Sequence, residues 1–157
     1  MTMKSLYIKR PLAKSDNDRI VDMMAGFDFA HEIELHMTLI YSKREVDWSL
    51  PVFQAMEDPL EIVPQNLAFD RFGPHLVLTM RASEIEARHQ ALVAAGAHFA
   101  FPEFNPHISL GLDPDEVVQN YPDLSGIRSL RIEGEVRGLA NKAASKVKPP
   151  VLEEPQI

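Results

Sequence analysis

Cysteine is absent from the 157 residues. That excludes disulfides and thiolate metal sites, and it fits a reducing compartment. No apolar run approaches the length that spans a bilayer, and the N-terminal stretch MTMKSLYIKRPL lacks the apolar segment of a signal peptide. A cytoplasmic location with no membrane contact is the expectation. Basic residues are also scarce: 16 Lys and Arg against 23 Asp and Glu leave a net charge of −7. Nonspecific binding to long nucleic acid takes most of its affinity from phosphate neutralisation by a basic surface. A duplex-binding protein is therefore not expected, whereas a small phosphate-bearing ligand in one local basic pocket is compatible.

What is present is an ordinary globular mix, 45% hydrophobic and 25% charged, in a length that suits one domain. LYIKR reads as a strand over 6–10 that ends at Pro11. SDNDRIVDMMAGF reads as a helix, with Ser15 as N-cap, Asp16 and Asp18 in its first turn and Gly26 at its stop. ELHMTLIY is a second strand, followed by a loop through SKREVDWSLPVFQAMEDP. A Pro-interrupted extended segment, LEIVPQNLAFDRFG, suits a sheet edge. HLVLTMR is a strand, and SEIEARHQALVAAG is the clearest helix, with Ser83 and Glu86 as a capping box and Gly96 closing it. HISLGL is a strand, DPDEVVQNYP a short helix, and SLRIEGEVRGL a final strand. Residues 1–140 are expected to form a single domain. The Pro-rich stretch 141–157 reads as a disordered tail or, alternatively, as a flap that closes over a ligand.

Two of these strands carry the same four-residue pattern: histidine, apolar, hydroxyl, apolar. In a strand, residues two apart share a face. His36 and Thr38 therefore project from one surface while Leu35, Met37 and Leu39 line the other, and His107 with Ser109 repeats the arrangement. Leu6 precedes His36 by 30 positions, and Val77 precedes His107 by the same 30. The chain thus reads as two copies of a βαβ-like unit, with the two imidazole–hydroxyl couples facing across a shared groove. His31, His75, His89 and His98 lack the hydroxyl partner and read as surface or internally satisfied histidines. Zinc is not expected, because no third ligand accompanies the pair and no metal-binding histidine motif is present. Paired imidazoles suit a phosphodiester instead. One accepts a proton from the attacking hydroxyl, the other gives one to the leaving oxygen, and the hydroxyls donate to non-bridging phosphate oxygens.

Two such motifs on internally repeated strands resemble the two-histidine (2H) phosphoesterase superfamily. That resemblance implies an α+β, bilobal fold in which two pseudo-symmetric repeats surround a central cleft. LYIKR, HMTLIYSKREVDW and FPEFNPHISL together look like the phage anti-CBASS protein family, whose members degrade the cyclic di- and trinucleotide signals of bacterial immunity. The resemblance runs from about Leu6 to Leu110, and VDW is its most specific part. By position it implies His36 and His107 as the catalytic pair, with Thr38 and Ser109 binding phosphate. It further implies Tyr7 and Trp48 as base-stacking platforms, Glu103 as a residue that orients a histidine or reads a base edge, and Lys9 as a phosphate neighbour. The implied partner is a cyclic di- or trinucleotide in the bacterial cytosol, with no metal and no cofactor. Two alternatives stay open: a 2H enzyme acting on RNA ends or 2′,3′-cyclic phosphates, and a non-catalytic sponge for cyclic nucleotides.

Overall fold

The computed structural model describes residues 1–140. The tail expectation for 141–157 lies outside the described residues. Nine strands and two helices follow in the order β1 (Met3–Pro11), α1 (Lys14–Met24), β2 (Ala30–His31), β3 (His36–Asp47), β4 (Leu60–Ile62), β5 (Gln65–Phe72), β6 (His75–Arg81), α2 (Ser83–Ala94), β7 (His107–Leu112), β8 (Leu130–Ile132) and β9 (Val136–Gly138). A seven-stranded antiparallel sheet runs β5–β6–β7–β3–β1–β9, with β2 also paired to β7. β4 and β8 form a separate two-stranded sheet. The α+β class is as expected, and β5 lies at the sheet edge, where its Pro-interrupted sequence placed it.

One face of the large sheet is the core. Leu6 and Ile8 of β1, Met37 and Leu39 of β3, Leu76 and Leu78 of β6, and Ile108 and Leu110 of β7 are buried there, packed in one cluster with Ile20 and Met24 of α1 and Ile85 and Leu92 of α2. The alternation of β3 changes phase after Leu39, because Ile40 and Ser42 are also buried. The register explains it: Lys9 opposes Thr38 while Ile8 opposes Ile40, so Leu39 is an extra residue in a β-bulge. A bulge leaves a carbonyl outside the ladder, and His89 of α2 meets that of Leu39 with Nδ1 at 2.7 Å. Its ring also stacks on Phe104, with centroids 3.8 Å apart. His89 is thus an internally satisfied histidine, as the sequence implied.

Several local expectations are corrected. SKREVD is not a loop: β3 continues to Asp47, crossing a second register shift opposite Lys4–Leu6. Ser15 and Ser83 are not N-caps; Ala13 and Ala82 hold those positions without side-chain caps. Asp16 instead accepts from the Arg131 backbone N–H at 2.6 Å and from Arg19 at 2.8 Å. Glu86 keeps half of its capping role by accepting from the Ala82 N–H at 2.9 Å. The DPDEVVQNYP segment is not helical. Asp113 is buried and accepts from the backbone N–H groups of Val117 and Val118 and from the Arg71 guanidinium, which replaces the helical bonding pattern. SLRIEGEVRGL is two strands in different sheets, divided at Gly134, where a Cβ would collide with the Glu57 backbone. Gly111, with φ of +148°, similarly lets β7 close against the Ala30 backbone.

Candidate active site

β3 and β7 meet through a single antiparallel register pair, Met37 opposite Ile108, and both side chains are fully buried on the core face. The residues flanking each must then project from the opposite face. Around an antiparallel pair so centred, His36 stands opposite Ser109, and Thr38 stands opposite His107. All four are partly exposed. The two H-x-[ST] motifs therefore interleave into one quartet, with the histidines on a diagonal and the hydroxyls on the other. Pro106 helps to set this up, since it restricts Asn105 to extended backbone at the entrance to β7.

The quartet lies within two rows that cross the sheet. Cα partners place Lys9 beside Thr38, Thr79 beside His107, and Ala68 beside Thr79. In the parallel row, Pro11 adjoins His36, Val77 adjoins Ser109, and Asp70 adjoins Val77. The ring of Phe72, at the end of β5, makes an edge contact with the His107 ring at a centroid distance of 4.8 Å.

Each imidazole has one ring nitrogen engaged by a neighbour. His107 directs Nδ1 to the Asn105 carbonyl at 2.8 Å. A carbonyl only accepts, so Nδ1 carries the proton and a neutral ring has a bare Nε2. The His36 Nε2 lies 3.2 Å from the Tyr7 hydroxyl. Tyr7 Oη also lies 3.5 Å from Thr38 Oγ1. Burial pushes the His36 imidazolium down to about 4, assisted by the positive charges of Lys9 and then His107. Burial lowers His107 as well, with a further contribution from His75. Both shifts favour the neutral imidazoles in the unliganded site, and a bound anion opposes them by favouring the imidazolium.

The structure brings together six of the eight residues singled out from sequence. His36, Thr38, His107 and Ser109 form the quartet, and Tyr7 and Lys9 border it from β1. Tyr7 enters through its hydroxyl, a role the sequence did not indicate, while its ring meets Tyr41 edge-on at 5.5 Å. Glu103 is exposed in the loop before β7, where its charge acts on Arg81. Trp48 stands apart. It follows Asp47, whose Cα partner is Met3, whereas His36 is opposite Pro11. The ring itself reaches back along β1 to Ser5, two residues before Tyr7. The Trp48 indole N–H donates to the Ser5 carbonyl at 3.1 Å, and its ring carries the Arg137 guanidinium at 4.1 Å and the Lys4 ammonium at 4.9 Å. Two further neighbours of His107 are Phe72, which the sequence reading did not mark, and His75, which it read as a surface or internally satisfied histidine. The signal was the RFGPH turn, in which Gly73 has φ of +59° and joins β5 to β6 beside the quartet.

Among the described residues no three His, Cys, Asp or Glu side chains are grouped to hold a metal, and no helix is long and apolar enough to cross a membrane. A family model described as anti-CBASS protein Acb1 matches residues 4–135. Among solved structures, Escherichia coli LigT complexed with NADP+ is 19% identical, with 87% of each chain covered and a TM-score of 0.63. E. coli LigT complexed with 3′-AMP is 17% identical, again over 87% of each chain, with a TM-score of 0.61. A structure described as a phosphoesterase gives 17% identity, 87% coverage of each chain and a TM-score of 0.61. At such identities the likeness is one of fold. No curated protein gives a significant sequence match.

Proposed function

The chain belongs to the anti-CBASS protein Acb1 family, and from that premise we propose that it is a metal-independent phosphodiesterase. Its substrates are cyclic di- and trinucleotides, whose 3′–5′ linkages it opens so that host immune signalling fails. The observation that carries the reading is the Met37–Ile108 pairing, which interleaves two imidazole–hydroxyl couples on one patch of sheet. The order β6–β7–β3–β1 also supports a cleft between two similar halves, each contributing one couple.

In the reaction, the ribose 2′-oxygen attacks the adjacent phosphorus as the bond from phosphorus to the 5′-oxygen breaks. One histidine Nε2 takes the 2′-hydroxyl proton, and the other histidine gives its proton to the departing 5′-oxygen. The product is a linear nucleotide ending in a 2′,3′-cyclic phosphate, which water can then open. Thr38 and Ser109 donate to the non-bridging oxygens, where charge accumulates in the transition state. Lys9, one strand over, adds positive charge to the same row. The substrate's own hydroxyl is the nucleophile, so the protein needs none.

Incubation with 3′,3′-cGAMP in excess EDTA is expected to give a linear product with a terminal cyclic phosphate. Intact cGAMP after prolonged incubation would overturn the proposal. Turnover of RNA-terminal cyclic phosphates alone would point to RNA-end processing, and tight retention of uncleaved ligand would point to a sponge. The pH profile follows from the same groups. The base must be neutral and the acid protonated, so kcat/KM is bell-shaped. Both free histidines sit below the ordinary 6.5, so the maximum of kcat/KM lies on the acid side of that value. The bound phosphate anion favours the protonated acid and moves the basic limb of kcat upward. A monotonic rise of kcat/KM to pH 9 would contradict this.

A further inference from the structure

The quartet is nearly symmetric, but its surroundings are not. On the β1 side a phenol and an ammonium stand over the first couple: Tyr7 Oη is 3.2 Å from His36 Nε2, and Lys9 is the Cα neighbour of Thr38. On the β5–β6 side a hydrocarbon ring, Phe72, abuts His107. Building on the phosphodiesterase reading, we infer that Tyr7 is a positioning residue that holds His36 as the proton acceptor, which makes His36 the general base and His107 the general acid.

The direction follows from donor and acceptor chemistry. A ring that acts as proton acceptor at Nε2 carries its own proton on Nδ1, so in that neutral tautomer Nε2 is an acceptor. Tyr7 must then be the donor across the 3.2 Å contact. Donation to the lone pair exists only in the neutral imidazole, and it therefore disfavours protonation. Lys9 acts in the same sense by opposing a second positive charge nearby. The phenol also fixes the ring with Nε2 toward the cleft. When a substrate 2′-hydroxyl takes that nitrogen, Thr38 Oγ1, 3.5 Å away, is the alternative partner for the phenol. The groups facing His107 are different. His75 from β6 lowers it, Phe72 from β5 offers no donor, and the Asn105 carbonyl, accepting from Nδ1, favours its protonated form. With the basic position already assigned to His36, an arriving phosphate anion favours the imidazolium of His107, which takes its proton from solvent.

Tyr7→Phe keeps the ring and removes only the hydroxyl, so packing against Tyr41 and any stacking on a base persist. NMR titration of the histidine C2 protons in the full chain is expected to show the His36 pKa rising by about one unit in this variant, the equivalent of one hydrogen bond. His107 should stay within roughly a third of a unit. In turnover, kcat falls about tenfold with KM within about twofold, and the acid limb of kcat/KM moves up with His36. The roles themselves are read with a cyclic dinucleotide carrying sulfur in place of the bridging 5′-oxygen, a leaving group that needs no proton. His107→Ala should regain about 100-fold or more of its lost activity on this substrate, and His36→Ala should not. An unmoved His36 titration in Tyr7→Phe overturns the part given to Tyr7. Rescue of His36→Ala, or equal rescue of both, overturns the assignment of base and acid. Failure of the unmutated protein on every cyclic nucleotide would be a different result, since it removes the reaction itself and the assignment with it, while the titration still judges the contact.

Discussion

His36→Ala and His107→Ala are each expected to lower the turnover of a cyclic dinucleotide by about 10²–10⁴-fold, the usual contribution of a positioned proton-transfer group. Binding should change far less, because Thr38, Ser109 and Lys9 remain to hold phosphate. The loss is one of chemistry and not of fold. Both imidazoles are on the partly exposed face of their strands, and the adjacent core residues Met37 and Ile108 are untouched. The double variant should be little worse than the poorer single one, since two groups that act in one step do not contribute independently. Single-turnover rates together with calorimetric affinities separate the two effects. A histidine variant that keeps more than about a third of the activity would remove that residue from the proton-transfer role.

The second large effect concerns stability. Glu135 lies between β8 and β9, and its side chain is fully buried. It binds the Arg88 guanidinium through both oxygens, at 2.9 Å and 3.0 Å, and accepts the Met56 backbone N–H at 3.0 Å. Arg10, itself buried on β1, lies 3.9 Å away. Its Nη1 donates to the Asp58 and Glu133 carbonyls at 2.9 Å each, while Arg88 reaches the Val52 carbonyl at 2.7 Å. One carboxylate thus stands between two guanidiniums that bind β1 and α2 to the 52–58 loop. Arg10 is the Cα partner of Met37, so this anchor lies directly behind the quartet. Glu135→Ala leaves both cations buried without their anion. Removing one member of such a buried pair costs about 3–5 kcal/mol, which for a chain of this size lowers Tm by roughly 10 °C or more. Urea unfolding and calorimetry measure it directly. A loss below about 1 kcal/mol would show that water or backbone groups take over the role of the carboxylate.

The quartet was legible in the sequence because a strand's period of two is simple and local. Once HMTL and HISL are strands, His36 must share a face with Thr38 and His107 with Ser109. The repeat suggested that the two couples would face each other across a groove, whereas β3 and β7 are directly paired in one sheet. Their register was not legible, because Met37 opposite Ile108 is fixed by packing across the whole sheet. The errors have the same origin. Ser15 and Ser83 have good capping chemistry, yet the N-caps are Ala13, two residues earlier, and Ala82, one residue earlier. DPDEVVQNYP has helical composition, but the buried Asp113 carboxylate captures the N–H groups of Val117 and Val118. Trp48 carried the most specific part of the motif resemblance and was read as a stacking platform. Its ring meets the Arg137 guanidinium and the Lys4 ammonium, neighbours set by two register shifts between β1 and β3 that no local pattern announces, and its stacking role remains a proposal. Tyr7 was noticed for its ring, while its hydroxyl contact with His36 arises from pairing between strands 29 positions apart.

A crystal structure with a 2′-deoxy cyclic dinucleotide, which has the phosphate but lacks the attacking oxygen, tests the central claim most directly. The account predicts one phosphorus between the two Nε2 atoms, with its non-bridging oxygens on Thr38 and Ser109. Two histidines engaging different phosphates, or a ligand lodged elsewhere on the fold, would contradict it.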